Sequence, residues 1–220
     1  PTPWPVPSSG RKVLVLPSSR NEYAGHPEWK SGWGDNTQAL DDFFEAYAIQ
    51  AHEVVVRCHP NWSETIGRVS GLRSLEVYRD WALQRGIHFI SSEQKASTYD
   101  LIQQCDIVVL NGGSSAVEAG VCGKSVVCLG PVNYEDAGFV QVFRDPAALQ
   151  SGRSLDVPDP DEVIRRTLRF IYLSARRFPQ YADHVRAIQT TRYAYFEGGD
   201  PQRLLSMLET GLVAADGEDG

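Results

Sequence analysis

With 220 residues, 42% of them hydrophobic and 22% charged, the chain is long enough for one good-sized domain with a real core. A net charge of −7 and the lack of any Lys/Arg run argue against a duplex nucleic-acid partner, which would need a basic face. No apolar stretch approaches the ~20 residues of a membrane span. The four cysteines lack CxxC spacing, which argues against zinc and for buried, reduced thiols in a cytoplasmic protein.

The opening Pro1-Thr2-Pro3-Trp4-Pro5-Val6-Pro7 alternates prolines, which favour extended chain, so residues 1–11 are expected to be a linker, as if from an earlier part of a longer protein. Residues 12–213 are expected to form one domain, and 214–220 an acidic, frayed tail. The apolar run 12–16 predicts the first strand, and a long polar loop rich in Ser, Asn, Gly and Trp follows it. Leu40, Phe43, Phe44 and Tyr47 share one helical face within 38–50, and Val54, Val55 and Val56 mark a second strand over 53–57. Val77, Tyr78, Trp81 and Ala82 form the stripe of a helix over 75–85, with Gly86 as its stop.

A third strand is expected at 87–91, a short capped helix at 97–105 and a fourth strand at 106–110. A helix over 115–122 and a fifth strand at 125–129 complete the rhythm. Short β-branched strands joined by helices predict an α/β, Rossmann-like, doubly wound parallel sheet with helices on both faces. Beyond residue 140 no further strand is expected. Helices are predicted from 158 through 177, over 181–196 and over 201–212, the first with acidic residues in its opening turn.

In such sheets ligands bind beyond the carboxyl ends of the strands. Asn111-Gly112-Gly113-Ser114-Ser115-Ala116-Val117-Glu118 is therefore the most informative stretch. Two glycines let the backbone approach a ligand, two hydroxyls add donors, and the free N–H groups of a helix start favour a phosphate. Taken alone, the stretch also suits an ordinary strand–helix turn with Ser as N-cap. Arg57-Cys58-His59-Pro60, at the end of another strand, adds a second polar turn on the same edge. Glu118 lies one helical turn beyond Ser114 and is open between reaching the ligand and capping the helix start.

Taken together, Val56-Arg57-Cys58-His59-Pro60, Ser97-Thr98-Tyr99-Asp100-Leu101-Ile102, the turn 111–119 and Gly123-Lys124-Ser125-Val126-Val127-Cys128-Leu129-Gly130 with Tyr134 resemble a known family. The resemblance is to the C-terminal, donor-binding half of GT-B glycosyltransferases of bacterial capsule and surface-polysaccharide synthesis, the group that includes Kdo transferases. It covers roughly residues 12–140. It implies His59, Ser114, Ser115 and Gly113 as binders of the donor phosphate, able to neutralise a leaving nucleotide without a metal or other cofactor. It implies further donor contacts at Ser18, Ser19, Arg20, Ser91, Tyr99, Glu118 and Tyr134. Asn133 is similarly placed, and the Trp-rich loop 26–33 suits either an acceptor sugar or packing.

The implied substrate is a nucleotide sugar, with CMP-Kdo as the favoured donor, and the implied partners are a polysaccharide or glycolipid acceptor and an N-terminal GT-B half. That half, which these 220 residues have no room to supply, is where the resemblance places the catalytic residue. A cytoplasmic location at the inner face of the membrane is implied as well. Lys124-Ser125 stands where relatives often carry Lys-Pro. Three alternatives stay open: a CDP-glycerol-dependent teichoic-acid polymerase domain, half of a nucleotide-sugar epimerase, and a nucleotide-binding module without chemistry.

Overall fold

The computed structural model describes residues 1–7, 10–18, 31–63, 68–150, 155, 158–176, 185–189 and 192–195. The chain divides into two compact units, Pro1–Leu168 and Arg169–Gly220. In the first, β1 (Val13–Leu16), β2 (Val54–Arg57), β3 (His88–Ile90), β4 (Ile107–Leu110), β5 (Ser125–Cys128) and β6 (Gln141–Val142) make one sheet in the order β3-β2-β1-β4-β5-β6. Every pairing is parallel; Val13, for example, lies opposite Val54 on one side and Ile107 on the other.

Helices α1 (Asn36–Ala46), α2 (Arg68–Gln84), α3 (Thr98–Gln104), α4 (Ser115–Val121), α5 (Pro146–Gln150) and the part of α6 (Pro160–Arg176) up to Leu168 belong to the same unit as the sheet. Side chains alternate along a strand, so a sheet covered on both faces needs strands that are apolar throughout. All four residues of β1, β2, β4 and β5 are buried. Val13, Val15, Val54, Val56, Ile107 and Val109 pack with Leu40 and Phe43 of α1 and Tyr78, Trp81 and Ala82 of α2. Each fully buried side chain of this kind contributes about 1.5–3 kcal/mol. On the other face α4 lies against β4 and β5, and α3 against α4. Gly120 lets α6 come close, because a Cβ there would stand 2.3 Å from Thr167 Oγ1.

The helix ends follow the local chemistry. Asp35 caps α1, its carboxylate accepting the Thr37 N–H at 2.8 Å, and Ser97 caps α3 by accepting the Asp100 N–H at 3.2 Å. Beyond the end of α2, Gly86 adopts φ +67°, the left-handed stop that its sequence position suggests. The proline-rich opening runs along α3. Thr2 N–H donates to Asp100 Oδ2 at 2.7 Å, Thr2 Oγ1 accepts the Ser97 N–H at 2.9 Å, and Trp4 N–H donates to Gln104 Oε1 at 2.9 Å.

Two expectations are corrected. The strand rhythm does not stop at residue 140, because β6 adds a sixth strand, pairing Gln141 with Val127 and Val142 with Cys128. Two residues are too few for alternation to register in a sequence. In the second unit, the expected helix over 181–196 is replaced by an antiparallel pair, β7 (Val185–Gln189) and β8 (Arg192–Tyr195). Val185 and Ile188 fit a helical face, but the Thr, Tyr and Phe that crowd 190–196 favour strands and decide the outcome. The expected helix over 201–212 and the acidic tail lie outside the described residues.

Candidate functional site

Because the six strands are parallel, their last residues, Leu16, Arg57, Ile90, Leu110, Cys128 and Val142, share one edge. The strand order reverses between β1 and β4, and in doubly wound sheets such a switch point is where ligands bind. Every candidate taken from the sequence and lying among the described residues belongs to a segment leaving this edge. Ser18 follows β1, His59 follows β2, Ser91 follows β3, Gly113, Ser114 and Ser115 follow β4, and Tyr134 follows β5. Tyr99 and Glu118 sit in the first turns of α3 and α4. Ser19 and Arg20 lie outside the described residues, as do residues 26–30 of the Trp-rich loop.

The turn after β4 is built for close approach. Gly112 and Gly113 take φ +137° and +101°, values closed to ordinary side chains, and a Cβ at Gly113 would meet nothing within 4 Å. Its backbone therefore faces open space. Ser114 is the N-cap of α4, yet it adopts a helical φ of −73° and ψ of −17°, and its exposed hydroxyl makes no cap hydrogen bond. Glu118 stands at the fourth helical position, one beyond where a capping-box carboxylate reaches back, and is half-buried. From the next strand Tyr134 holds the turn. Its ring is buried and stacks on Phe139 with 5.6 Å between centroids, and its hydroxyl donates to the Gly113 carbonyl at 2.8 Å.

Across β1, two strand spacings or about 10 Å away, the chain leaves β2 through Cys58 and His59. His59 is exposed and opens a 3-10 turn, Pro60–Ser63, its carbonyl accepting the Trp62 N–H at 3.2 Å. Trp62 is buried and stacks on Tyr78 at 5.7 Å and 17°. Cys58 offers no thiolate, because burial pushes its thiol up to about 12 against a smaller opposing pull from Arg57. Burial does the same to Cys105 and Cys128, each raised to about 12. All four cysteines are free thiols.

At β3, the structure engages both main-chain groups of Ser91. Its N–H donates to Gln94 Oε1 at 2.6 Å and its carbonyl accepts from Arg57 Nη1. Base recognition through Ser91 would have to break one of these bonds. Tyr99 is 61% exposed, so it is no core aromatic and its face is available. Ser18 is buried and Asn133 exposed. Trp33, by contrast, is a packing residue: it is buried and its indole N–H donates to the Phe143 carbonyl at 3.1 Å.

Three residues to which the sequence reading gave no role of their own now join the edge. Arg57 is only 5% exposed, no carboxylate pairs with it among the described residues, and its Nε has no hydrogen-bond partner there. Burial lowers the guanidinium from its ordinary value. Ser92 Oγ and Asn111 Nδ2 are likewise buried without a partner among the described residues. A buried donor left unmatched costs about 1–3 kcal/mol, and such groups are rare in a settled fold. The available signal was position: a charged residue closing an apolar strand at Arg57, and an amide directly after another at Asn111.

Among the described residues no cluster of His, Cys, Asp and Glu is arranged to hold a metal ion, and no helix is long and apolar enough to cross a membrane. A cavity of about 450 Å³ lies beside β6, lined by Ser125, Phe139, Gln141, Pro158 and Arg166 among others, and includes none of the candidate residues.

No protein-family model matches the sequence, and no curated protein matches it. Among solved structures, the chain is similar to Thermosulfurimonas dismutans KpsC, beta Kdo 2,7 transferase, at 17% identity and TM-score 0.45, over 75% of this chain and 56% of that one. It is similar to the wall teichoic acid polymerase TagF at 13% identity and TM-score 0.41, over 76% of this chain and 39% of that one. It is also similar to UDP-GlcNAc 2-epimerase from Neisseria meningitidis at 16% identity and TM-score 0.44, over 75% of this chain and 45% of that one. The chain spans 39–56% of the length of these three proteins.

Proposed function

We propose that the chain binds a nucleotide sugar at the carboxyl edge of its sheet, as the donor half of a GT-B-type glycosyltransferase of bacterial capsule or surface-polysaccharide synthesis. The observation that carries this is the turn after β4, beside the β1/β4 switch point. It joins two glycines of positive φ, open space over Gly113 and a Ser114 hydroxyl not spent on capping. The motif resemblance supplies the donor class, a CMP-activated sugar such as CMP-Kdo.

In this reading the Ser114 and Ser115 hydroxyls and the first N–H groups of α4 take the phosphate from one side, and the His59 imidazole from the other. Their hydrogen bonds strengthen as negative charge gathers on the departing nucleotide, which stabilises it without a metal. Glu118 holds a donor hydroxyl. Ser18, Ser19, Arg20 and Tyr99 make further contacts with the donor in this reading. Tyr134 acts through the Gly113 carbonyl that it holds. The acceptor site and the catalytic residue belong to an N-terminal half, and the assembled enzyme works at the cytoplasmic face of the membrane.

The test is thermal stabilisation of this chain by CMP, CDP, UDP, GDP and their sugars. A ligand at ~100 times its dissociation constant adds about 2.7 kcal/mol of stability, a readily measured melting shift. A shift confined to cytidine nucleotides, lost in His59→Ala and Ser114→Ala, is expected. Tight binding of UDP-sugars with no response to CMP or CDP would overturn the donor. Unchanged affinity in both variants would overturn the phosphate assignments.

A further inference from the structure

The geometry points to Asn111 as a ligand contact, its amide aimed by a relay through Tyr78. This rests on the reading of the carboxyl edge as a nucleotide site and adds to it a residue and a means of presetting it. Tyr78 of α2 is fully buried, and its hydroxyl sits between two amides. It accepts from Asn36 Nδ2, at the start of α1, at 3.1 Å, and donates to Asn111 Oδ1 at 3.3 Å. A phenol has one proton to give. With the Asn36 amide donating to it, Tyr78 gives its own proton to Asn111, so the Asn111 carbonyl oxygen is taken and the orientation of its amide is fixed.

What remains is Nδ2. Asn111 is only 7% exposed, and Nδ2 has no hydrogen-bond partner among the described residues. The residue is the first after β4, whose last residue, Leu110, pairs with the last of β1, Leu16, so it stands at the switch point itself. The chain then passes through the buried Gly112 to Gly113, where the backbone is open. A preset amide donor beside an open glycine turn suits an acceptor oxygen, and the phosphoryl oxygen of the bound nucleotide is the acceptor this site would supply. Nδ2 is closed to solvent, so a ligand reaches it only as the turn opens over it, and binding then satisfies a donor that folding leaves unmatched. Tyr78 is a positioning residue. Through its stack on Trp62 it also ties the turn that follows His59 to the turn that follows Asn111.

Asn111→Asp is nearly isosteric and keeps the oxygen that Tyr78 reaches, while replacing the donor with an acceptor. Tyr78→Phe removes only the hydroxyl that aims the amide, and serves if Asn111→Asp does not fold. CMP and CDP affinities are measured by calorimetry for the whole chain, both variants and His59→Ala. The Asn111 side-chain amide is followed by 15N NMR, assigned by its loss in Asn111→Asp. Asn111→Asp is expected to weaken CDP at least tenfold and Tyr78→Phe several-fold, with the wild-type Asn111 amide protons moving downfield as CDP binds. A purely structural role would lower the melting temperature and leave that resonance still. Wild-type CDP affinity in both variants, together with a loss in His59→Ala, overturns the role of Asn111 and leaves the nucleotide site standing. Binding of neither CMP nor CDP by the wild-type chain overturns both.

Discussion

The two edges of the sheet are made from the same strands and treat their polar groups in opposite ways. At the amino edge the chain pairs most of its polar groups with one another, although Trp4 Nε1, beside the end of α3, is buried with no partner among the described residues. Glu53 Oε1 accepts the Arg11 N–H at 3.0 Å, and its other oxygen accepts the Gln50 N–H at 2.8 Å. Lys12 N–H donates to Asp106 Oδ2 at 2.8 Å, Asp106 N–H to the Lys12 carbonyl at 2.8 Å, and Lys124 Nζ to the Gln103 carbonyl at 2.7 Å. At the carboxyl edge, Arg57 Nε, Ser92 Oγ and Asn111 Nδ2 are buried with no partner among the described residues, and Ser114 caps nothing. An edge that closes on itself contributes stability; an edge that holds donors in reserve gives up stability and gains the means to bind.

The largest expected effect tests the amino edge. Glu53 is buried, and Glu53→Ala would strand the Arg11 and Gln50 N–H groups, while the Arg11 guanidinium would keep the Tyr47 and Ala48 carbonyls. Urea denaturation at pH 7 should show a loss of about 2–3 kcal/mol, with CDP affinity unchanged. A loss below about 1 kcal/mol would mean that other contacts hold this edge. The same carboxyl gives a pH signature. Burial alone would raise its pKa, but the Gln50 and Arg11 hydrogen bonds outweigh burial and the net shift is downward. A depressed folded pKa stabilises above the unfolded value of 4.5 and ceases to do so as pH falls through the folded value. The stability gap between wild type and Glu53→Gln should therefore be full at pH 7 and close as pH falls below the ordinary carboxylate range.

A smaller effect separates two serines at equivalent places. Ser97 and Ser114 both start helices at the carboxyl edge, but only Ser97 spends its side chain on a cap. Ser97→Ala should lose about 1 kcal/mol in a denaturation curve, and Ser114→Ala within about 0.3 kcal/mol of nothing. The order reverses for ligand: Ser114→Ala should weaken CDP several-fold and Ser97→Ala should not. Equal stability losses would show that Ser114 caps α4 after all, and the contrast between the edges would weaken.

The sequence made the fold legible because burial on both faces leaves little freedom. Val54 to Val56 and Ile107 to Leu110 are apolar without alternation, which only a covered parallel strand requires. The carboxyl-edge turns were legible for the same reason, since glycines and serines placed directly after such a strand are conspicuous. The two-residue β6 carries too little pattern to be seen. The β7–β8 pair was hidden because Val185 and Ile188 satisfy a helical spacing, and only side-chain propensity over the next residues decides. Arg57, Ser92 and Asn111 were illegible as a set. What distinguishes them is a missing partner, and a missing partner is a fact of three-dimensional packing. Tyr78 read correctly as a core residue on its stripe, yet nothing in a helical stripe reveals that its hydroxyl lies between two amides.

The smallest effect is the sharpest test of the comparison. Ser92 is 8% exposed, and its hydroxyl has no partner among the described residues. Removing a satisfied buried hydroxyl costs about 1 kcal/mol, whereas removing an unsatisfied one relieves desolvation and costs nothing. Ser92→Ala should therefore leave stability unchanged or raise it by up to about 0.5 kcal/mol, read as a small upward shift of the urea midpoint at constant slope. CDP affinity should fall a few-fold in the same variant if the hydroxyl turns to the ligand. A stability loss of about 1 kcal/mol would show that the fold itself uses the hydroxyl, and would move Ser92 from the reserve of donors to the scaffold. A stabilised variant with weakened binding would show at one atom what separates the two edges, because a single donor would then oppose folding and favour the ligand.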